Sequence, residues 1–380
     1  MALQPWSDAR LPPAVAALRA YDPGHDLVAF RARFGSRLVE VGSNENLLGP
    51  APSALAALAD PGAAAWRYPD PRGSVLRDAL ARLHGLDPDA IVLGNGSHEL
   101  LMRIAQGFAP AGTPVVFSRH AFAVFAIAAA AAGARAVAVP SLPADHPAMP
   151  LGHDPEALAS ACDADTRVLY LANPNNPTGT WFEPAALARL LAAVPSTTLV
   201  VVDEAYQEYQ PDAAARSALR LLPRYRNLLV TRTFSKAYGL AGLRVGWAAG
   251  DPAAIAVLER LRESFNVNGL AQAAAAAALD DDGHIAAERA AADAARPVLA
   301  ALLAELGVGT LPSRCNFLLA DFGATDRAEA VERALGAGGV VARPMAGYGL
   351  GRCLRISLPP PARQPALLAA LVQTVRAATP

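Results

Sequence analysis

Residues 231–247 read TRTFSKAYGLAGLRVGW, and Lys236 near the centre of this stretch is the only lysine among the 380 residues. The other 32 of the 33 lysine and arginine positions are arginines. A Schiff base to a carbonyl group needs an amine that can lose its proton, and a guanidinium effectively never does. The alternative is a surface lysine kept by chance. Because arginine fills every other basic position, the single lysine indicates a role that requires an amine.

The neighbours of Lys236 predict a phosphate beside the amine. Ser235 precedes the lysine and Arg244 follows eight residues later, and hydroxyl and guanidinium groups are donors that hold phosphates. Glycines in the same stretch let the backbone approach a ligand closely. A cofactor with both an aldehyde and a phosphate matches this pairing, and pyridoxal phosphate is such a cofactor.

Composition and charge argue against several classes of protein. A net charge of −1 and the lack of basic runs disfavour nucleic acid and anionic membranes as partners. The longest apolar run, Ala121–Ala134, is shorter than the roughly 20 residues that span a bilayer and predicts a buried helix. The first residues lack the basic and apolar regions of a signal peptide.

Three widely spaced cysteines predict reduced thiols in the cytoplasm, without a disulfide framework or a metal site.

Short runs rich in β-branched residues alternate with longer helical segments from residue 90 onward. Several runs are apolar on both faces, as strands between two helix layers must be, so we expect an α/β domain with a largely parallel sheet. Seven strands are predicted, at Ile91–Gly94, Pro114–Phe117, Arg135–Val139, Val168–Ala172, Leu199–Asp203, Leu228–Thr233 and Arg244–Ala248. Residues 47–265 are predicted to form this large domain, and residues 1–46 with 266–380 a smaller α+β domain.

Polar residues gather where the predicted strands end, which is where open α/β sheets bind ligands. Asp203 ends a buried strand, and a carboxylate there needs a cation or strong donor to offset its desolvation. The protonated ring nitrogen of pyridoxal phosphate is such a partner. Tyr206 and Asn176, the latter in the loop NPNNPTG at 173–179, could then reach the ring hydroxyl. The turn GNGSHE at 94–99 opens a helix and predicts an anion site, although such turns also occur for structural reasons alone.

Three motifs in order resemble the fold-type I pyridoxal phosphate enzymes of the class I and II aminotransferase family. They are NPNNPTG, VVDEAY at 201–206 and TFSKAYGLAGLRVGW at 233–247. The segments YDPG, SNEN, YPDPRG, RPMAGYGL at 343–350 and CLRIS at 353–357 are similar to the histidinol-phosphate aminotransferase branch. The resemblance covers nearly the whole chain. It implies a homodimer that passes an amino group from a donor to a 2-oxo acid.

The resemblance implies a role for each residue that matches a motif. Lys236 would form the Schiff base and move the proton, and Asp203 would bind the ring nitrogen. The other residues implied in cofactor binding are Asn176 and Tyr206 on the ring oxygen, Ser97, His98, Ser235 and Arg244 on the phosphate, Phe122 stacked on the ring, and Tyr68 reaching the phosphate of the other subunit. The residues implied in substrate binding are Arg355 on the carboxylate, Arg343 and Tyr21 on the substrate phosphate, and Asn46.

Several alternatives stay open from the sequence. His98 replaces an acidic residue of the branch, and the segment after Arg355 lacks the usual glycine turn. One alternative is an aminotransferase for aromatic or other amino acids, which needs no residues that bind a substrate phosphate. Another is a decarboxylase acting on threonine phosphate, which shares nearly all the motifs. A regulator with this fold carries a DNA-binding helix-turn-helix ahead of it, for which 45 residues without a basic face leave no room. The favoured prediction is amino transfer from histidinol phosphate to 2-oxoglutarate, in histidine biosynthesis.

Overall fold

The computed structural model describes residues 13–16, 25–59 and 66–378, and its first elements lie ahead of the central sheet. They are α1 (Pro13–Ala16), α2 (Leu27–Phe34) and β1 (Val39–Glu40). Asp26 caps α2, because its side chain accepts a hydrogen bond from the backbone N–H of Ala29. β1 pairs in parallel with residues 340–341, so this entry segment joins the C-terminal part of the chain. Tyr21, predicted to bind substrate, lies outside the described residues.

A seven-stranded sheet forms the core of the large unit. Its strands are β2 (Ile91–Gly94), β3 (Pro114–Ser118), β4 (Arg135–Val139), β5 (Val168–Ala172), β6 (Leu199–Asp203), β7 (Leu228–Thr233) and β8 (Gly246–Gly250). The spatial order is β2-β8-β7-β6-β5-β3-β4. β7, β6, β5, β3 and β4 run parallel, and β8 is antiparallel to both of its neighbours. The predicted α/β class with a mainly parallel sheet is confirmed.

Helices cover both faces of this sheet, as apolar two-faced strands require. They are α3 (Pro52–Ala59), α4 (Ser74–His84), α5 (Ser97–Phe108), α6 (Val124–Ala131), α7 (Pro155–Ser160), α8 (Pro184–Ala193), α10 (Pro252–Leu261) and α11 (Gly269–Leu279). The short α9 (Ala213–Arg216), between β6 and β7 in the chain, has no buried residue. Val200 and Val202 of β6 pack into one apolar layer, and Val201 packs into the layer on the opposite face. Side chains continue to alternate between the two faces beyond the end of the strand. This alternation decides which polar side chains lie at the edge of the sheet where a ligand binds.

The C-terminal part adds a second, smaller sheet with its own core. Its elements are α12 (Asp282–Glu305), β9 (Gly309–Thr310), β10 (Phe317–Asp321), α13 (Thr325–Ala337), β11 (Val340–Val341), β12 (Arg343–Pro344), β13 (Cys353–Ser357) and α14 (Gln364–Ala377). The antiparallel order is β12-β13-β10-β9. α11 packs with α3 and α4 in the core of the large unit. The domain division at residues 47 and 266 stays a proposal. Across the described ranges, none of the helices combines the length and the apolar character needed to cross a bilayer.

One strand begins later than its sequence predicts. The prediction was Arg244–Ala248, whereas β8 begins at Gly246. Arg244 has a φ of 57°, in the left-handed region, and so it cannot extend a strand. A Cβ on Gly246 would lie 2.6 Å from the backbone nitrogen of Ser97, so only glycine allows the strand to start against the first turn of α5. This approach brings two ligand-binding turns together.

Candidate active site

A cavity of about 320 Å³ opens at the carboxyl ends of β5, β6 and β7. This is the edge where an open α/β sheet is expected to bind ligands. The lining residues are Leu27, Gly42, Ser43, Asn44, Ser97, His98, Phe122, Ala172, Pro174, Asn176, Asp203, Ala205, Tyr206, Thr233, Ser235, Lys236, Arg244, Arg343, Tyr348 and Arg355. Most of the residues proposed from the sequence are among them, and they come from segments far apart in the chain.

Lys236 presents its amine to this cavity from the loop after β7. The Nζ atom donates hydrogen bonds to the backbone oxygens of Ser43, at 3.2 Å, and Asn44, at 3.1 Å. Burial and the positive charges of Arg355 and Arg244 lower the pKa of Lys236 to about 8, against a smaller opposing effect of Glu45. A neutral, nucleophilic amine is therefore accessible near physiological pH.

Asp203 lies at the end of β6 and is 4% exposed. Its Oδ1 atom accepts a hydrogen bond from the hydroxyl of Thr231, at 3.0 Å, on the neighbouring strand. Burial, with a smaller contribution from the adjacent Glu204, raises the pKa of Asp203 to about 7, despite the lowering effect of the Thr231 hydrogen bond. A carboxyl group in this state ionises fully when a cation is placed beside it. A protonated ring nitrogen is such a cation.

An anion site forms at the first turn of α5. The helix begins at Ser97 after Gly96, which has no side chain to cap the free backbone N–H groups. Arg244 donates a hydrogen bond to the hydroxyl of Ser235, at 3.2 Å. A Cβ on Gly96 would lie 2.4 Å from Arg244 Nη2, so the guanidinium packs directly on the turn. Burial, followed by the charge of Arg244, lowers the pKa of His98, so a neutral imidazole borders this site.

Tyr206 and Asn176 line the same cavity and are both buried. The Tyr206 hydroxyl accepts a hydrogen bond from Asn44 Nδ2, at 2.8 Å. Burial raises the pKa of Tyr206, so the hydroxyl keeps its proton and is able to donate it to a ligand oxygen. Phe122 also lines the cavity, where it makes an edge-to-face contact with Phe125 at 6.1 Å between ring centroids.

Two arginines meet at the side of the cavity formed by the smaller sheet. Arg343 on β12 and Arg355 on β13 are direct cross-strand partners. Arg355 donates hydrogen bonds to Asn176 Oδ1 and to the backbone oxygen of Gly42, each at 2.6 Å. The same guanidinium lies 5.4 Å from the centre of the Phe317 ring. A guanidinium carries a positive charge, so this side of the cavity favours anions.

Two predicted residues of the described ranges, Asn46 and Tyr68, do not line the cavity. Asn46 uses its side chain in a turn, with Nδ2 donating to the backbone oxygen of Gly49, at 2.8 Å, and Oδ1 accepting from its N–H, at 3.0 Å. Tyr68 is 83% exposed on another surface, stacked on Phe265 at 4.6 Å. Tyr21 lies outside the described residues. The Asn46 side chain closes this turn in the structure, and its contact with the substrate stays a prediction.

The structure also places residues in the cavity that the sequence did not mark. Asn44 lines the cavity, and the motif SNEN, which contains both Asn44 and Asn46, could have indicated either one. Leu27 and Tyr348 also line the cavity. A lone leucine in a helix and a tyrosine in a glycine-rich turn carry no local signal of ligand binding, so only the tertiary structure identifies them.

The residues of the cavity fit pyridoxal phosphate. Lys236 offers an amine for the aldehyde, Asp203 an acid for the ring nitrogen and Tyr206 a donor for the ring oxygen. The start of α5, with Arg244, offers a positive site for the phosphate. No cluster of metal-ligating side chains occurs in the part of the chain that the structure describes. The cavity therefore has one partner for each polar group of this cofactor.

Comparison with known proteins points to one family. The model of the family "Aminotransferase class I and II" matches residues 36–375. This range includes the cavity residues on the sheet edge and both arginines of the smaller sheet. The match confirms the resemblance read from the three motifs.

Similar proteins of known name match over almost their full length. Histidinol-phosphate aminotransferase 2 of Pseudomonas aeruginosa is 45% identical over 362 residues, which cover 94% of this chain and 96% of that protein. The protein of the same name from Ralstonia nicotianae is 44% identical over 366 residues, covering 95% and 96%. A crystal structure of histidinol-phosphate aminotransferase from Sinorhizobium meliloti, in complex with pyridoxal-5'-phosphate, superposes with a TM-score of 0.87 at 34% identity, covering 98% of this chain and 99% of the other.

Proposed function

The chain belongs to the class I and II aminotransferase family and is a pyridoxal phosphate-dependent aminotransferase, and we propose that its amino donor is histidinol phosphate and its acceptor 2-oxoglutarate. The products would be imidazole acetol phosphate and glutamate, in histidine biosynthesis. The observation that supports this choice is a cavity with two separate anion-binding sides, one at the start of α5 and one at Arg343 and Arg355. A cofactor phosphate needs the first, and a charged substrate needs the second.

The chain's residues hold the cofactor through opposite charges and hydrogen bonds. When bound, pyridoxal phosphate supplies an aldehyde that takes up an amino group and a protonated ring that withdraws electrons. We assign Asp203 to the ring nitrogen, since its buried carboxylate keeps that proton in place. Tyr206 and Asn176 are assigned to the ring oxygen. Ser235, Arg244 and the N–H groups of α5 are assigned to the phosphate.

Lys236 is assigned to both bond formation and proton transfer. With pyridoxal phosphate bound, the Lys236 amine would be the group that bonds to the cofactor aldehyde, and as a free amine it would accept the proton from the substrate carbon and return it. Its pKa of about 8 suits this work, since the neutral form is needed to accept a proton and the protonated form to return it. The backbone oxygens of Ser43 and Asn44 hold the amine between these steps, through hydrogen bonds of 3.2 and 3.1 Å.

Two substrates with different anions must use one pocket. Histidinol phosphate carries a phosphate ester, whereas glutamate and 2-oxoglutarate carry two carboxylates. A guanidinium binds either anion through two parallel hydrogen bonds. Arg355 is assigned to the substrate carboxylate, and Arg343, beside it on β12, to the substrate phosphate. Tyr21 stays a proposed contact of that phosphate.

We propose a homodimer with shared active sites. A hollow of about 1020 Å³ on the outer surface is lined by exposed apolar side chains, including Trp66, Tyr68 and Val75, which are 79%, 83% and 74% exposed. A second copy of the chain would cover this surface, and Tyr68 would then reach the cofactor phosphate of that copy. Sedimentation velocity tests this: we expect a dimer that Trp66→Arg dissociates with loss of activity. A fully active monomer would contradict it.

We also propose that the enzyme works in the cytoplasm. Cys162, Cys315 and Cys353 are all free thiols in the structure. Burial raises the pKa of Cys162 to about 11, so this thiol is a poor nucleophile for disulfide exchange. Free, unreactive thiols fit a reducing compartment.

A donor panel tests the proposed substrate. Holoenzyme is mixed with histidinol phosphate, phenylalanine, tyrosine or threonine phosphate, and the loss of the visible cofactor band is followed over time. We expect kcat/KM for histidinol phosphate to exceed that of the unphosphorylated aromatic donors by at least about tenfold. Faster reaction with phenylalanine or tyrosine would indicate an aminotransferase for aromatic amino acids. Carbon dioxide released from threonine phosphate without any need for a 2-oxo acid would indicate a decarboxylase.

A further inference from the structure

A buried ion pair lies directly behind the acid of the cavity. Asp203 and Thr231 are register partners on β6 and β7, and the next residues along each strand are Glu204 and Arg232. Because side chains alternate along a strand, this second pair points to the opposite face of the sheet. There Arg232 lies 5.7 Å from the centre of the Trp247 ring, within the apolar layer that also contains Val202. Neither Glu204 nor Arg232 lines the cavity.

Every polar group of this pair has a close partner. Arg232 Nε and Nη2 donate to Glu204 Oε2, at 3.0 and 2.9 Å, and Nη2 also donates to Ser217 Oγ, at 2.9 Å. Glu204 accepts from Ser217 Oγ, at 2.8 Å, and from the backbone N–H of Ala218, at 2.6 Å. Glu208 lies 3.5 Å from Arg232 Nη1. Glu204 is 1% and Arg232 7% exposed, so the charges depend on each other and not on water.

The pair is also joined to the cavity through the backbone. The N–H of Glu204 donates to the backbone oxygen of Thr231, at 2.8 Å, and the hydroxyl of that same threonine donates to Asp203. A shift of Glu204 therefore moves the hydrogen bond that orients the Asp203 carboxylate. We propose that the Glu204–Arg232 pair is a positioning element for the cofactor, which holds the ends of β6 and β7 together so that Asp203 faces the ring nitrogen.

This role differs from simple stabilisation of the fold. A buried ion pair is often replaceable by apolar groups of similar size, whereas removal of one partner leaves an uncompensated charge. Without Arg232, Glu204 has to reach water or take up a proton, and its backbone is the continuation of the strand that carries Asp203. The consequence is then a displaced carboxylate in the cavity. The inference rests on the proposed binding of pyridoxal phosphate.

The test measures cofactor affinity and stability separately. Full-length protein is stripped of cofactor and titrated with pyridoxal phosphate by visible absorbance, and the thermal midpoint of the stripped protein is recorded. The variants are Arg232→Met, Glu204→Gln and the double variant. Arg226→Met is the matched control, since Arg226 precedes the other end of β7 and pairs with Asp251 while 84% exposed.

We expect Arg232→Met to raise the Kd for pyridoxal phosphate at least about tenfold, and the double variant to return it to within about threefold of the wild type. Glu208 adapts in the double variant, because burial has already raised its pKa and it can take up a proton. We expect Arg226→Met to leave the Kd unchanged. Glu204→Gln alone should raise it about threefold, since Arg232 then keeps only Glu208 as an anionic partner.

Two results would overturn the inference. The first is a lower thermal midpoint for Arg232→Met with an unchanged Kd, which would show a purely structural ion pair. The second is a double variant that binds the cofactor as weakly as Arg232→Met, which would show that pairing of the charges is not the cause. If Arg232→Met does not fold, an unchanged Kd for Glu204→Gln would overturn it equally. A wild-type protein that binds no pyridoxal phosphate would refute the proposed cofactor as well, whereas unchanged binding in the variants refutes this inference alone.

Discussion

The two sides of the cavity are built in different ways. The side with Lys236 and Asp203 consists of strand ends and turns of one sheet, whose positions are fixed by the ladder of β6, β7 and β8. The side with Arg343 and Arg355 consists of the smaller sheet, the entry segment and a turn near residue 348. The first side combines parts of one rigid layer, and the second combines parts that are far apart in the chain.

This difference separates the residues that carry out the reaction from the residues that select the substrate. Residues on the sheet edge contact the cofactor, which is the same in every turnover. Substitution of these residues should therefore lower the reaction rate equally for every donor. Residues of the other side meet the substrate, so their loss should depend on the donor. The comparison therefore predicts uniform losses on one side of the cavity and selective losses on the other.

The largest uniform loss is expected at Lys236. Lys236→Ala removes both the amine that bonds the cofactor and the base that moves the proton, so we expect kcat to fall by at least about 10³-fold with every donor. The visible absorption band of the bound cofactor should also change. Steady-state assays with histidinol phosphate and glutamate, together with absorbance spectra, provide the measurement.

Lys236→Arg is the matched control for charge. It retains a cation but not an amine able to lose its proton, so it should be as inactive as Lys236→Ala. A loss of kcat much smaller than about 10³-fold in either variant, with a native circular dichroism spectrum, would contradict the assignment of Lys236.

A smaller uniform loss is expected at Asp203. Asp203→Asn removes the negative charge assigned to the ring nitrogen, and we expect kcat to fall at least about 10²-fold for all donors alike. Thr231→Val is the milder control, since it removes one hydrogen bond to Asp203 and should cost less than about tenfold. A loss confined to histidinol phosphate would break the comparison, because it would place Asp203 on the substrate side.

A selective loss is expected at Arg343. Arg343→Ala should lower kcat/KM for histidinol phosphate by about 10²-fold, since a charge-assisted pair to the phosphate is lost, and for glutamate by less than about tenfold. Arg343→Lys keeps the charge but not the planar fork, so an intermediate value is expected. Kinetics with both donors provide the measurement. Equal losses for the two donors would mean that this arginine does not select the phosphate.

The same contrast explains what could be predicted from the sequence. The strands of the large sheet are continuous β-branched runs, so Asp203 and Lys236 could be placed at a common edge before any coordinates were known. The apolar neighbours of Arg244 favour a strand, whereas its φ of 57° is left-handed and its guanidinium packs on Gly96. Tertiary packing overruled the local pattern there.

The substrate side was harder to predict for a physical reason. Asn44 and Asn46 are two residues apart in one polar motif, and a left-handed φ of 55° at Asn44 breaks the regular alternation. Asn44 therefore reaches Tyr206, while Asn46 closes a turn with Gly49. Leu27 shows the same limit, since its place in the cavity depends on how α2 packs against α13, where Phe30 lies close to Gly336. The positions of these side chains depend on tertiary structure and not on the residues next to them in the sequence.

The smallest expected effect concerns stability without the cofactor. Lys236 has a pKa lowered from 10.5 to about 8 in the folded protein, so below pH 8 the folded state holds a buried charge that the unfolded state keeps in water. Folded protein binds fewer protons than unfolded protein between these two pKa values, and stability rises with pH across this window. Lys236→Met should therefore be more stable than the wild type by about 2 to 3 kcal/mol at pH 7.

This advantage should shrink as the pH rises through 8 toward 10, because the wild-type amine becomes neutral in the folded state. Urea unfolding of cofactor-free protein between pH 7 and pH 9.5 measures it. Arg343→Met is the control from the other side of the cavity, and its stability difference should stay constant over that range because a guanidinium does not titrate there. A constant difference for Lys236→Met would mean that its amine is fully hydrated in the folded protein.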